Sequence, residues 1–172
     1  MEVRRATPAD YGDCLALDTT VTTSLVWQME EWSSAERFAV EFRLSRLPRS
    51  VAVGLTRDGG DPLQRLAASD LLLVAQDERI RGYLKAAQRH CLAWLEELVV
   101  EPDSRRKGVA TSLVQGARSW ARERGLRALM AEVPARHQPI ISLLQKCGFA
   151  FCGFDDHRYD GRDIVILFAL KV

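Results

Sequence analysis

The sequence has few of the residues that bind metals or form redox pairs, and it spaces them far apart. Its four cysteines stand at positions 14, 91, 147 and 152 and form no C-x-x-C pair. Its three histidines are scattered too, without the H-E-x-x-H spacing of a zinc-binding helix. We therefore expect no metal cofactor. Scattered single cysteines are typical of reduced thiols, which favours the cytoplasm as the location.

An excess of charge of one sign is also missing. The chain has 24 Lys and Arg against 23 Asp and Glu, for a net charge of +1. A protein that binds duplex nucleic acid is expected to be basic, so we expect no nucleic-acid partner. The longest apolar run lies within residues 70–75, far short of the roughly 18 residues of a membrane span. Residues 1–5 lack the apolar core of a secretion signal, so the sequence predicts neither a membrane contact nor export.

The 172 residues suit one domain, which we expect to span 1–172. Hydrophobic periodicity predicts the order strand, helix, strands, helix, strand, helix and two strands, which is typical of a mixed α/β or α+β layer fold. In residues 19–35, threonines and serines disfavour a helix, and we expect a loop with buried aromatic anchors. A substrate wall in this segment is the alternative. Alternation over 38–44 predicts a strand that ends at Pro48.

The segment 97–110 carries the strongest chemical pattern. An apolar strand ends, a turn with Arg105, Arg106 and Lys107 follows, and a long helix begins after Gly108. The N–H groups and dipole of a helix N-terminus favour an anion, and a glycine lets it approach the backbone closely. The pattern suits a phosphate or pyrophosphate, but it is neither a Walker loop nor a G-x-G-x-x-G fingerprint. An ordinary helix start with solvated basic residues is the alternative.

Two motifs together resemble one family. Arg105, Gly108 and Ala110 fill the pattern R/Q-x-x-G-x-G/A, and residues 143–149 end a helix in Lys-x-Gly-Phe. In this order and spacing the two motifs are similar to the acyl-CoA-binding motifs of the GNAT superfamily of N-acetyltransferases. The resemblance covers residues 70–170 well and residues 1–18 loosely. Within the superfamily, the C-terminal half is most similar to streptothricin acetyltransferases and less similar to ribosomal-protein N-terminal acetyltransferases.

The resemblance implies a mixed central sheet of about seven strands with helices on both faces. It implies an acyl-CoA-binding core at residues 94–149 and a variable acceptor-side region at 19–68. Acetyl-CoA is the implied cosubstrate, with its pantetheine arm between two splayed strands and its pyrophosphate on the N–H groups after the turn. His137 stands where the family often has Asn, and an exposed helix cap is the alternative there. The residues implied to bind acetyl-CoA are Leu98, Val99, Val100, Arg105, Arg106, Lys107, Gly108, Val109, Ala110, Thr111, His137 and Lys146.

The candidate catalytic base is a carboxylate, because acetyl transfer needs a neutral amine and a group that accepts its proton. Glu97 ends the strand at the implied splay, and Glu132 aligns with a family glutamate that has this role. For each of them, a paired carboxylate at a strand end is the alternative. Alternation along a strand predicts that Glu96 faces away from Glu97.

The tyrosine that acts as general acid in the family has no counterpart here. The family usually has a tyrosine four residues before the glycine that ends the second motif, and Leu144 occupies that position here. Tyr159 and Cys147 are donors by residue type, without support from their spacing. The thiolate can also leave unaided, since the pKa of a free thiol is only about 8.5.

The resemblance therefore predicts an acetyl-CoA-dependent N-acetyltransferase that acts on a primary amine of a small molecule, such as a streptothricin-type antibiotic. A protein or peptide N-terminus is the alternative acceptor. A non-catalytic acyl-CoA sensor and a pure interaction domain also stay open, because the usual tyrosine is absent. A homodimer is a further expectation, with the apolar run 164–170 as its candidate edge strand.

Overall fold

The structure, a computed structural model, describes residues 1–54, 60–159 and 163–172, with residues 158 and 159 described by their backbone alone. Short 3₁₀ turns precede the first helix and follow the sixth strand. In these ranges the elements are β1 (Glu2–Arg5), α1 (Tyr11–Ala16), β2 (Val21–Ser34), β3 (Arg37–Val53), α2 (Pro62–Ala67), β4 (Leu71–Gln76), β5 (Ile80–Arg89), β6 (Leu92–Val100), α3 (Val109–Glu123), β7 (Ala128–Pro134), α4 (Gln138–Lys146), β8 (Ala150–Tyr159) and β9 (Asp163–Lys171).

Seven strands form one mixed sheet in the order β1-β4-β5-β6-β7-β9-β8. Every neighbouring pair is antiparallel except β6 and β7, which run parallel with helix α3 as their crossover. Helices cover both faces, so β4 is buried on each side and reads as a continuous apolar run. Leu73 belongs to the core cluster that includes residues of α3 and α4, whereas Leu72 and Val74 belong to the cluster that includes residues of α1 and α2. The predicted seven-stranded mixed sheet with helices on both faces is therefore confirmed.

The parallel pair β6–β7 separates partway along. Its ladder runs only from Leu92↔Ala128 to Leu95↔Ala131. Beyond that point β6 stays paired with β5, and β7 stays paired with β9. The edges of β6 and β7 that face each other beyond Leu95 and Ala131 thus lack a ladder, and we call this opening the fork.

Strands β2 and β3 pair only with each other and form a separate two-stranded ribbon. The expected loop over 19–35 is wrong, since β2 spans most of it; the predicted strand end at Pro48 is wrong too, since β3 continues to Val53. Pro48 is tolerated because the register jumps from Leu25↔Arg46 to Thr23↔Val51, and the proline lies in this bulge without a ladder partner. The ribbon joins the sheet layer through Phe42, whose ring centroid lies 5.7 Å from those of Phe151 and Phe154.

One predicted edge strand lies inside the sheet. Strand β9, which contains residues 164–170, is flanked by β7 and β8 and has no free edge. The sheet ends instead at β1 and β8. Among the described residues, no helix is both long and apolar enough to cross a membrane.

Candidate active site

The turn after β6 brings backbone amides and a glycine to the mouth of the fork. Gly108 caps helix α3 with φ 85°, and Arg106 also has a positive φ of 63°. Gly108 suits this left-handed conformation because it has no Cβ. A Cβ added there would meet nothing within 4 Å, so the space beside Gly108 is open. The first N–H groups of α3 have no partner within their own helix and are available to an anion.

Two side chains hold this turn in place. Glu101 accepts hydrogen bonds from Arg81 Nη1 at 2.7 Å and from Ser104 Oγ at 2.9 Å. The bond from Arg81, followed by that from Ser104, keeps the pKa of Glu101 below its usual range. Arg105 donates from Nε to the carbonyl of Val100 at 2.9 Å and from Nη2 to the carbonyl of Thr20 at 3.0 Å. Arg105 therefore fastens the turn to the segment that enters β2.

A cleft of about 530 Å³ extends from this turn along the β6 side of the fork. Strand β6 and the start of α3 form one side, and helix α4 and strand β2 form the others. The predicted binding residues all line the cleft except Lys107. Further lining residues were not predicted: Thr19, Val21, Thr23, Leu25, Ser104, Gln138, Pro139, Ile140, Ser142 and Leu143.

The entry of α4 supplies two polar side chains to the cleft. Burial lowers the pKa of His137, and the nearby charges of Arg105 and Arg136 lower it further, which favours the neutral imidazole. Its Nδ1 is buried and has no hydrogen-bond partner among the described residues. Gln138 accepts a hydrogen bond from Trp27 Nε1 at 2.6 Å. Trp27 belongs to the segment 19–35, for which the sequence predicts a loop, and no sequence motif marks this contact.

The chemistry of the lining fits acetyl-CoA. The helix N-terminus and open space at Gly108 suit the pyrophosphate. The unpaired edge of β6 at Leu98–Val100 suits the amides of a pantetheine arm, and the apolar side chains of α4 suit its alkyl part. The orphaned Nδ1 of His137 is one further polar atom beside the cleft that protein groups leave unsatisfied.

Two carboxylates lie just beyond Leu95↔Ala131, the last ladder pair before the fork, and neither of them lines the cleft. Glu97 lies on β6 and is only 5% exposed. Tyr83 Oη donates to its Oε2 at 2.7 Å, and Arg65 Nη1 lies 3.4 Å from its Oε1. Glu132 lies half-buried on β7 between Ala131 and Val133, both of which face the α3–α4 side. Glu132 therefore faces the α1–α2 side of the sheet, as Glu97 does.

The expectation that Glu96 faces away from Glu97 is wrong. The register with β5 jumps from Lys85↔Glu97 to Ala86↔Leu95, so Glu96 is the extra residue of a β-bulge. Its carboxylate forms salt bridges with Lys85 at 2.7 Å and with Arg89 at 2.9 Å. Because Lys85 lies directly across from Glu97, both glutamates are on one side of the strand. Simple alternation fails at a bulge.

The position of the family's tyrosine and the two candidate proton donors lie in different surroundings. Leu144, which occupies the tyrosine position, is 1% exposed and belongs to the core between α3, α4 and the sheet. Cys147 is half-buried, and burial raises the pKa of its thiol. The backbone of Tyr159 pairs with Asp163 in the β8–β9 ladder, but its side chain lies outside the described residues. A catalytic role for Tyr159 stays a prediction.

One group of side chains on β8 has the atom types of a metal site. Ligand atoms of Asp155, Asp156 and His157 all lie within 4.8 Å of one another. The His157 side chain is 90% exposed, and its Nδ1 pairs directly with Asp156. Exposed acidic groups of this kind are common without an ion, and nothing else here indicates a metal.

Comparison with known proteins identifies the family. A sequence profile described as the acetyltransferase (GNAT) family matches residues 30–149, which is more than half of the chain. The streptothricin acetyltransferase of Streptomyces lavendulae is 30% identical over 170 residues, covering 93% of this chain and 87% of that protein. The streptothricin acetyltransferase of Escherichia coli is 39% identical over 71 residues, which is 41% of each chain.

Solved structures share the fold. A nourseothricin acetyltransferase superposes with a TM-score of 0.83 at 22% identity, covering 99% of this chain and 97% of the other. A Bacillus anthracis protein assigned as a streptothricin acetyltransferase, solved with acetyl coenzyme A, gives a TM-score of 0.80 at 19% identity with the same coverage. This protein is an N-acetyltransferase with acetyl-CoA as its cosubstrate. The fold, the motifs and the relatives agree, and the chain belongs to the GNAT family of acetyltransferases.

Proposed function

We propose that the protein transfers the acetyl group of acetyl-CoA to a primary amine of a streptothricin-type antibiotic. The similarity to the Streptomyces lavendulae streptothricin acetyltransferase carries this proposal, because it extends over 93% of the chain and so includes the ribbon of β2 and β3. The cleft supports it, since its lining fits acetyl-CoA and it opens at the fork.

Within this proposal, different residues of the cleft bind different parts of acetyl-CoA. Backbone N–H groups at the start of α3 hold the pyrophosphate. The edge of β6 at 98–100, which has no ladder to β7 and whose Val100 carbonyl already accepts from Arg105, orients the pantetheine arm. His137 and Lys146 add polar contacts from α4, and Lys107 adds positive charge outside the lining. Acetyl-CoA supplies the activated acetyl group when it is bound.

The proton of the acceptor ammonium goes to a carboxylate at the fork, either directly or through water. Glu97 and Glu132 are the candidates because both lie just beyond the end of the β6–β7 ladder and both face the α1–α2 side of the sheet. Glu97 hydrogen-bonds Tyr83 and lies beside Arg65, which keeps its carboxylate in one orientation. The leaving thiolate needs little help, since the pKa of a thiol is only about 8.5.

Turnover with parallel acceptors tests the proposal. Release of free CoA is followed with a streptothricin, with a peptide bearing a free N-terminus, and without an acceptor. We expect kcat/KM to be highest for the streptothricin. A higher value for the peptide would contradict the proposed acceptor and favour an N-terminal acetyltransferase. If neither amine causes the release of CoA, the proposal is contradicted altogether.

A homodimer and a cytoplasmic location are further parts of the proposal. Because 164–170 is not an edge, we propose β8 as the strand that pairs between subunits, and its Phe151 is 55% exposed. Light scattering after size-exclusion chromatography measures the subunit number, and a monomer would contradict the proposed homodimer. Cell fractionation tests the location.

A further inference from the structure

We propose that the Ser142 hydroxyl donates a hydrogen bond to a carbonyl oxygen of bound acetyl-CoA. Trp27 acts as a positioning residue: through Gln138, it makes Ser142 Oγ accept within the protein, so that the Ser142 proton is left for the ligand. The inference deepens the proposed function and rests on it, because it assumes that acetyl-CoA occupies the cleft. The three side chains form a chain of hydrogen bonds from the ribbon to the cleft.

The first link fixes the amide of Gln138. Trp27 Nε1 lies 2.6 Å from Gln138 Oε1, and the Trp27 backbone N–H donates to the carbonyl of Ala135 at 2.9 Å. One side-chain contact and one backbone contact therefore hold Trp27 beside the start of α4. Because an indole N–H can only donate, the oxygen of the Gln138 amide must be the atom that faces it.

The second link fixes the role of Ser142. With its oxygen toward Trp27, Gln138 directs its NH₂ group to the next turn of α4. There Nε2 donates to Ser142 Oγ at 2.8 Å. A hydroxyl that accepts a hydrogen bond still has its one proton to donate. Ser142 lines the cleft, so this proton is available to a ligand.

The surroundings favour a carbonyl as the partner. Several other residues of the cleft lining are apolar, including Val21, Leu25, Ile140 and Leu143. A hydrogen bond in such surroundings is stronger than one in water, and an unsatisfied polar group there is costly. An acyl-CoA offers two kinds of carbonyl, the amides of its pantetheine arm and its thioester.

Calorimetric affinities of four variants test the inference. Ser142→Ala removes the donor, and we expect acetyl-CoA to bind about 3- to 10-fold more weakly. Ser142→Thr keeps the hydroxyl and is expected to retain most of the affinity. Trp27→Phe keeps an aromatic ring but removes the N–H that orients Gln138, so we expect a smaller loss in the same direction. Trp32→Phe is the matched control, because Trp32 lies on the same strand and is half exposed.

The double variant separates positioning from packing. If Trp27 acts through Ser142, Trp27→Phe causes no further loss once Ser142 is alanine. Binding of CoA, which lacks the thioester, identifies the carbonyl: an equal loss for CoA and acetyl-CoA indicates an amide, and a loss for acetyl-CoA alone indicates the thioester.

Two results would overturn the inference while leaving the proposed function intact. Unchanged affinity in Ser142→Ala, with turnover preserved, would show that the hydroxyl makes no bond to the ligand. Additive losses from Trp27→Phe and Ser142→Ala would show that Trp27 acts by packing alone. Failure of the wild-type protein to bind acetyl-CoA would overturn the proposed function and this inference together.

Discussion

Replacement of Gly108 by Glu is the sharpest perturbation of the proposed pyrophosphate site. Gly108 has φ 85°, so any L-residue there is strained by about 1–2 kcal/mol. The open space beside it holds a side chain without a clash in the free protein. A carboxylate at a helix N-terminus is favourable for the helix itself. We therefore expect Gly108→Glu to fold at least as well as Gly108→Ala.

The effect on binding is electrostatic and steric. Two unit charges 4 Å apart interact by about 1 kcal/mol in water and by about 4 kcal/mol near a protein surface. A pyrophosphate brings about two charges, so even the lower limit gives about 2 kcal/mol of repulsion, or roughly 30-fold in affinity. Gly108→Gln has nearly the same size without the charge, and Gly108→Ala has the strain alone.

Isothermal titration with acetyl-CoA measures the series. We expect the dissociation constant to rise from Ala to Gln to Glu, with the Glu variant at least about 30-fold above the Ala variant. Thermal unfolding without ligand checks that all three variants are folded. Equal affinities for Gly108→Glu and Gly108→Ala would refute the placement of the pyrophosphate beside this residue.

Three further predictions concern the carboxylates and the buried thiol. Glu97→Gln and Glu132→Gln should each be compared with wild type for kcat/KM against pH; a changed profile is expected for the one that is the base, and unchanged profiles in both would remove them from the mechanism. Hydrogen bonds from Arg4 lower the pKa of Asp10, so its stabilisation is present above the unfolded value near 3.8 and is lost as the pH falls below it. Asp10→Asn should lower the unfolding free energy at pH 7 by about 1–3 kcal/mol and flatten its acid dependence in denaturant titrations. Burial raises the pKa of Cys14 to about 12, so a thiol reagent at pH 8 should leave Cys14 unmodified in the folded protein, and its rapid labelling would contradict this burial.

The turn that we propose to bind the pyrophosphate could be predicted because its parts are contiguous in the sequence. A strand end, a basic turn, Gly108 and a helix follow one another, and the structure brings them to one mouth of the cleft. The opposite wall could not be predicted in this way. Val21, Thr23 and Leu25 reach the cleft through long-range contacts, such as the bond from Trp27 N–H to the Ala135 carbonyl. The β-branched residues of this segment favour a strand and were the available signal.

Two β-bulges made predictions from simple sequence patterns wrong. The bulge at Glu96 puts neighbouring glutamates on one side of β6, which alternation excludes. The bulge opposite Thr23 lets β3 pass Pro48, which would end a regular strand. The position of β9 depended on topology: its nearly unbroken apolar run is typical of an interior strand, but the insertion of β9 between β7 and β8 is a long-range feature.

The most direct test of acetyl-CoA binding is a thermal unfolding scan of the wild-type protein with and without acetyl-CoA. Ligand at about 100 times its dissociation constant adds roughly 2.7 kcal/mol to the stability. For a domain of this size, we expect acetyl-CoA to raise Tm by about 5–10 °C. No rise at millimolar acetyl-CoA would contradict the claim that the cleft at the fork binds the cosubstrate.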